Sequence, residues 1–351
     1  MMDPWQAWAW PWLTTMDIYR HALEPGREEA AAPKELEWTT PNRVTLDLPS
    51  LLLRDFSSGE SRARPVLVVA PFSLHDAGLA DLAPGHSPIE SLLANGCHDL
   101  FLADWKSATA KTRLNTIDSQ FAALNVVVDE IGPPVDLVGL CQGGWLSLAY
   151  AARFPNKVRR LVLVGAPIDT TAAPSAFSGM INPVTAALID ELIRRGGGLA
   201  LGRDLAELWP RPSDKAARTL EALELEPPTT EAARRALENF SRWDARLLDL
   251  PGPYHREVFH WLYRENRLAT GRFWALGRRI DPRRVEQPLF LLAGERDDIA
   301  PPAQVFAAAG LVGARKCDIE TALAPCGHLA LFMGRRTAET QWPRIAKWLS
   351  G

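Results

Sequence analysis

Four short apolar runs separated by helical patterns constrain this chain more than any other feature. They are "RPVLVVAPF" (64–72), "HDLFLADW" (98–105), "VDLVGL" (135–140) and "RRLVLVGAP" (159–167). Each is too short for a buried helix and lacks the strict polar alternation of a half-exposed strand, so each predicts a strand covered on both faces. Between them, "SPIESLLANG" (87–96), "TIDSQFAALNVVVDEIG" (116–132) and residues 144–154 space their apolar residues as helices do, the first two closed by Gly96 and Gly132. The helix at 116–132 starts after Asn115 or Thr116. Strand and helix in regular alternation predict βαβ units, hence an α/β fold with a mostly parallel sheet and helices on both faces. Ahead of it, "RVTLDLPSLLLRDF" (43–56) alternates as a hairpin would.

The pattern breaks after residue 167. Residues 168–282 hold no clear core strand and read as mostly helical, whereas "QPLFLLAGERDDIAPP" (287–302) resumes the strand pattern and "WPRIAKWLSG" closes as a helix. The expected organisation is a Trp-rich N-terminal segment (1–37), a core made of 38–167 and 283–351, and a helical cap inserted at 168–282. With 351 residues, 47% of them hydrophobic, the chain can fill such a core. A formal net charge of −3 argues against nucleic-acid binding. No run reaches the roughly 18 apolar residues of a membrane span, and "MMDPWQAWAWPWLTT" lacks the basic leader of a signal peptide. The four cysteines, Cys97, Cys141, Cys317 and Cys326, show no metal-binding spacing and are too few for a disulfide framework. No metal is expected, and a cytoplasmic location is.

One cysteine stands on a turn crowded with glycine. In "VDLVGLCQGGWLSLAYAARFP" (135–155), Gly139, Gly143 and Gly144 surround Cys141 where a strand gives way to a helix. A nucleophile elbow needs this arrangement: the turn strains the nucleophile's backbone and only small neighbours avoid clashes. The helix N-terminus favours a thiolate and offers backbone N–H groups to an oxyanion. In such folds the acid and the histidine follow the nucleophile in that order. "LFLLAGERDDIAPP" supplies Asp297 or Asp298 past a strand, and of seven histidines only His328, in "APCGHLALFMG", follows them. The acid would orient His328, which would deprotonate Cys141 for attack on an acyl carbonyl. The oxyanion would rest on the backbone N–H of Gln142 and on a second donor near Phe72 or Ser73, in "APFSLHD". Cys326 lies two residues before His328 and is the rival thiol.

These motifs resemble those of the polyhydroxyalkanoate synthases, cysteine acyltransferases of the α/β-hydrolase fold, over roughly residues 40–351. "GLCQGGW" resembles their lipase-like box with cysteine in place of serine. "AGERDDIAPP" resembles their acid motif and selects Asp297, and "CGHLALF" resembles their Gly-His motif. "RWDARLLDLPGPYHREVFHWLYRENRL" (242–268) is similar to a segment of their cap, which implies a substrate role for Trp243 and Asp244. The resemblance implies polymerisation of 3-hydroxyacyl-CoA with release of CoA. Cys141 would carry the acyl chain, and no cofactor beyond the CoA of the substrate would be needed. It is nearest the short catalytic subunits, which act with a second, non-catalytic subunit; a homodimer and a polyester granule surface are further expected partners. Two readings compete with it. Intracellular polyhydroxyalkanoate depolymerases share the Cys-Gln pair and would hydrolyse the polyester instead, as a thioesterase would hydrolyse the thioester. A non-catalytic granule-binding protein would explain Trp5, Trp8, Trp10 and Trp12, rings suited to an apolar–water boundary.

Overall fold

Eight strands form one sheet in the order β1-β2-β4-β3-β5-β6-β7-β8: Arg43–Asp47, Leu51–Asp55, Val66–Val69, Leu100–Trp105, Val135–Leu140, Val158–Val164, Leu289–Gly294 and Ile319–Ala324, numbered β1 to β8 along the chain. A computed structural model describes residues 37–58, 64–208, 215–225 and 230–351. The tryptophans at 5, 8, 10 and 12 lie outside the described residues. β1 and β2 make the expected antiparallel hairpin, and β2 runs antiparallel to β4. All later neighbours are parallel. Strands β3, β4, β5 and β7 are buried along their whole length. Each of their Val and Leu side chains gains about 1.5–3 kcal/mol by leaving water, which is why these runs read as mostly apolar stretches, broken only by Asp104 in β4 and Asp136 in β5.

Local chemistry starts the helices. Ser87 accepts from the Glu90 N–H at 2.9 Å with Pro88 in the first turn, opening α1 (Pro88–Ala94). Thr116 and Ser119 form a reciprocal capping box at the head of α2 (Ile117–Ile131). The third helix, α3 (Gln142–Arg153), begins directly after Cys141, two residues earlier than the glycines suggested. From β3 the chain steps to β4 on one side and then to β5 on the other. Right-handed crossovers put α1 and α2 on opposite faces after such a reversal. The carboxyl ends of β3 and β5 therefore flank a crevice, the usual place for a ligand in an open α/β sheet.

Two elements depart from expectation. β8, "IETALA", is an edge strand with exposed and buried residues mixed, so it has no continuous apolar signature. The closing helix, α9 in our numbering, runs Arg335–Ser350 with Pro343 in its interior; a proline favoured in first turns had pointed to a later start. It packs on α1, where Ser91 Oγ donates to the Ala338 carbonyl at 2.9 Å.

Between β6 and β7 the described chain adds nothing to the large sheet. It forms α4 (Ala176–Ile181), α5 (Ala186–Arg195), α6 (Gly202–Glu207), α7 (Lys215–Leu223) and α8 (Glu231–Ala245). A short helix, Gly252–Glu257, then passes into a π-helix, Val258–Arg264. Two-residue strands pair Leu199–Ala200 with Leu250–Pro251, and Trp274–Ala275 with Arg278–Arg279.

Candidate active site

Cys141 occupies a conformation that few non-glycine residues take, φ 48° and ψ −116°, at a cost of order 1–3 kcal/mol. Its surroundings hold it there. The Cys141 N–H donates to the Val164 carbonyl at 2.9 Å, and its own carbonyl accepts from the Gly144 N–H at 2.9 Å. A Cβ on Gly143 would stand 2.1 Å from the Val69 carbonyl oxygen, and one on Gly144 would stand 2.3 Å from Ala166 Cβ. Gly139 is equally closed in by the backbone of 143–144. The glycines thus let α3 lie against β3, β5 and β6 while the turn lifts the cysteine side chain above the sheet.

Two distant loops meet it. Asp297 follows β7 on a tight turn, its N–H bonded to the Gly294 carbonyl at 3.1 Å. The neighbouring Glu295 and Arg296 N–H groups bond the Ala324 and Cys326 carbonyls at 2.7 and 3.0 Å, tying this loop to the end of β8. That tie brings His328 Nδ1 to 2.7 Å from Asp297 Oδ2 and His328 Nε2 to 3.2 Å from Cys141 Sγ. A carboxylate only accepts, so Nδ1 carries a proton and Nε2 faces the sulfur. Asp297 Oδ1 is satisfied separately by the Ile299 and Ala300 N–H groups, at 2.9 and 2.8 Å. Burial alone pushes the His328 imidazole down, but Asp297 and Cys141 outweigh it and hold its pKa well above the ordinary 6.5. Asp298 points elsewhere: it is exposed, and its backbone carbonyl takes the Ala176 N–H at 2.7 Å.

The rival thiol is not in the site. Cys326 is buried, bonded by Thr337 Oγ1 at 3.7 Å, and burial raises its pKa to about 11. Cys97 is buried likewise and raised to about 11 by the same cause. The exposed thiol is Cys317, which nothing in the sequence marked out. Among the described residues, no cluster of His, Cys, Asp and Glu has the form of a metal site.

The N–H groups of Gln142, Phe72 and Ser73 have no acceptor among the described residues. The loop that carries Phe72 is braced from three sides. Trp105 Nε1 donates to the Ala70 carbonyl at 3.0 Å, the Phe72 ring stacks on Trp105, and Tyr254 Oη donates to the Phe72 carbonyl at 3.0 Å. Trp243 braces its far end: Nε1 donates to the Asp76 carbonyl at 3.2 Å and the ring lies 4.4 Å from that of His75. Trp243 is 3% exposed, so its contacts are with protein. Its neighbour Asp244 acts electrostatically on His75, and Arg246 forms an ion pair with Asp76 at 2.8 Å. Sequence reading missed Tyr263, the side chain of the π-helix that accepts from Gln142 Nε2. No motif singles out that tyrosine, because the π-turn breaks the helical spacing that would have placed it.

Comparison with known proteins bears on the fold and the family. Residues 112–334 match the family model for the alpha/beta hydrolase fold. The chain is 26% identical to the poly(3-hydroxyalkanoate) polymerase subunit PhaC of Haloferax mediterranei, over 89% of this chain and 64% of that one. It is 27% identical to the subunit of the same name from Synechocystis sp., over 89% of this chain and 84% of the relative. For that of Allochromatium vinosum the identity is 26%, covering 84% of each. Among solved structures, the monoacylglycerol lipase of Paleococcus ferrophilus superposes with a TM-score of 0.55 at 17% identity, covering 85% of this chain and 98% of the lipase, a likeness of fold alone. With a cysteine elbow on this sheet, the chain belongs to the α/β-hydrolase fold family, and its similarity to the poly(3-hydroxyalkanoate) polymerase subunits supports the polyhydroxyalkanoate synthase family within it.

Proposed function

We propose that the chain polymerises 3-hydroxyacyl-CoA through a covalent acyl-cysteine, with Cys141, His328 and Asp297 acting together. The observation that carries this reading is a cysteine at the elbow with His328 Nε2 at 3.2 Å, in a chain whose relatives are named poly(3-hydroxyalkanoate) polymerase. In the first half-reaction His328 Nε2 takes the Cys141 proton, and the sulfur attacks the thioester carbonyl. The N–H groups of Gln142 and of Phe72 or Ser73 receive the oxyanion. Collapse expels the CoA thiolate, which takes the proton back from Nε2. Exchange of one thioester for another is nearly isoenergetic, so the acyl-cysteine keeps the driving force to form an ester. In the second half-reaction Nε2 takes the proton of an incoming 3-hydroxyl. That oxygen attacks the acyl-cysteine carbonyl, and Cys141 leaves and is reprotonated. Asp297 holds the Nδ1 proton throughout and stabilises the imidazolium. Trp243 and Asp244 serve the substrate in this reading by fixing the loop that bears Phe72 and Ser73.

The polymer is insoluble, so the same reading puts the protein at a granule surface, with a second subunit or a second copy as assembly partners. Supplying purified protein with 3-hydroxybutyryl-CoA, and following free CoA, soluble 3-hydroxybutyrate and insoluble polymer separately, tests the proposal. CoA release with polymer is expected. Release with free acid would make the chain a thioesterase. No release, with breakdown of added granules, would make it a depolymerase.

A further inference from the structure

Trp145, Gln142 and Tyr263 form a chain of hydrogen bonds whose direction is forced. An indole N–H only donates, so the Trp145 Nε1 contact at 2.6 Å must fall on Gln142 Oε1. The Gln142 amide cannot flip without facing that N–H with its own. Its Nε2 is therefore left to donate to Tyr263 Oη. The tyrosine oxygen is occupied as an acceptor while its proton is not committed: Tyr263 Oη donates to no acceptor among the described residues, Cys141 Sγ included. Trp145 is wholly buried, so the arrangement cannot turn away into solvent.

The backbone under Tyr263 is fixed as firmly. It sits in the π-helix Val258–Arg264, a rare geometry that recurs at functional sites. The Leu262 carbonyl just before it accepts from Thr170 Oγ1 at 2.9 Å. Arg264 just after it donates to the Ile181 and Asn182 carbonyls at 3.0 and 3.1 Å. Burial, and then the charge of Cys141, hold the Tyr263 hydroxyl well above its ordinary pKa of 10, so it keeps its proton at neutral pH.

A half-buried hydroxyl with an unused proton beside the nucleophile is a hydrogen-bond donor awaiting a ligand. A thioester carbonyl oxygen has two acceptor positions, and the free N–H groups of Gln142 and of Phe72 or Ser73 can fill both. The remaining oxygen on the acyl group is the 3-hydroxyl. We propose that Tyr263, oriented through Gln142 and Trp145, donates a hydrogen bond to the substrate 3-hydroxyl and so selects 3-hydroxyacyl over unsubstituted acyl thioesters. This rests on the acyltransferase reading above. A buried donor left unpaired by the wrong substrate is what makes such selection effective.

The test compares single-turnover CoA release from 3-hydroxybutyryl-CoA and from butyryl-CoA. In Tyr263→Phe the preference for the hydroxy substrate should fall about 10- to 100-fold, the discrimination one such hydrogen bond supplies. Gln142→Glu should lower it in the same direction, because a carboxylate accepts from Trp145 and Tyr263 alike and captures the tyrosine proton. A role of Tyr263 in packing alone would leave the Gln142→Glu preference unmoved. A preference within about twofold of the unmodified chain in Tyr263→Phe, whatever the absolute rate, overturns the proposal. Failure of the unmodified chain to release CoA from either thioester would remove the acyltransferase reading and this one with it, a result distinct from an unchanged preference.

Discussion

The nucleophile turn and the inserted helices hold their functional residues by different means. Cys141 is set by backbone: its φ of 48°, its bonds to Val164 and Gly144, and glycines with no room for a Cβ. Tyr263 and Trp243 are set by side-chain contacts that reach across more than a hundred residues, Tyr263 to Gln142 and Trp243 to Asp76. A backbone constraint is local and tolerates change elsewhere, whereas a side-chain constraint can be tuned one atom at a time. In the function we propose, the chemical step belongs to the first region, and substrate choice and loop position to the second.

The hardest blow to that division falls on the turn. Cys141→Ala should lower acyl transfer about a thousandfold or more, leaving what binding and oxyanion donors provide. Cys141→Ser should be severely impaired as well, since a hydroxyl ionises far above neutral pH. Near-normal CoA release in the alanine variant would deny the turn its chemical role. Limiting iodoacetamide should modify Cys141 first and the exposed Cys317 next, with Cys97 and Cys326 protected until the chain unfolds. Peptide mapping by mass spectrometry reads that order.

Asp297→Ala should cost about 10²- to 10⁴-fold in turnover, and Asp298→Ala less than about threefold, the ordinary fate of an exposed side chain. Equal losses would mean that the two acids share the work. On the side of the insert, Trp243→Phe keeps the ring but removes the bond to the Asp76 carbonyl. It should lower stability by about 1 kcal/mol and slow turnover severalfold while leaving the iodoacetamide rate at Cys141 unchanged. Loss of thiol reactivity in that variant would erase the distinction between the two regions.

The smallest effect is a matter of pH. The folded-state pKa of His328 is raised above 6.5, so the stability it contributes is complete below about pH 6.5 and is lost as the pH climbs through the raised value. The difference in urea midpoint between the unmodified chain and His328→Gln should therefore be wider at pH 6 than at pH 9. A difference that widens with pH would mean that the pair stabilises a neutral imidazole.

Legibility followed burial and locality. β3, β4, β5 and β7 were readable because strands covered on both faces are mostly apolar runs, and β6 because its last four residues are one too. β8 was not, because an edge strand such as "IETALA" keeps half its side chains in water and borrows its pairing from β7. Cys326 read as a rival to Cys141 because it lies two residues before His328, yet the strand end turns it into the core beside Thr337.

The sequence by itself determined the α/β order, the elbow at Cys141 and the ordering of acid before histidine. Those follow from short-range rules: apolar runs, glycines that permit one turn, and a chain direction that never changes. Only the tertiary structure decided that Asp297 meets His328, that Trp243 faces the Phe72 loop, and that the Tyr263 proton is free. These depend on which loops the sheet order brings together and on which atom of Gln142 a donor-only indole compels to accept. A sequence states neither until the chain has closed on itself.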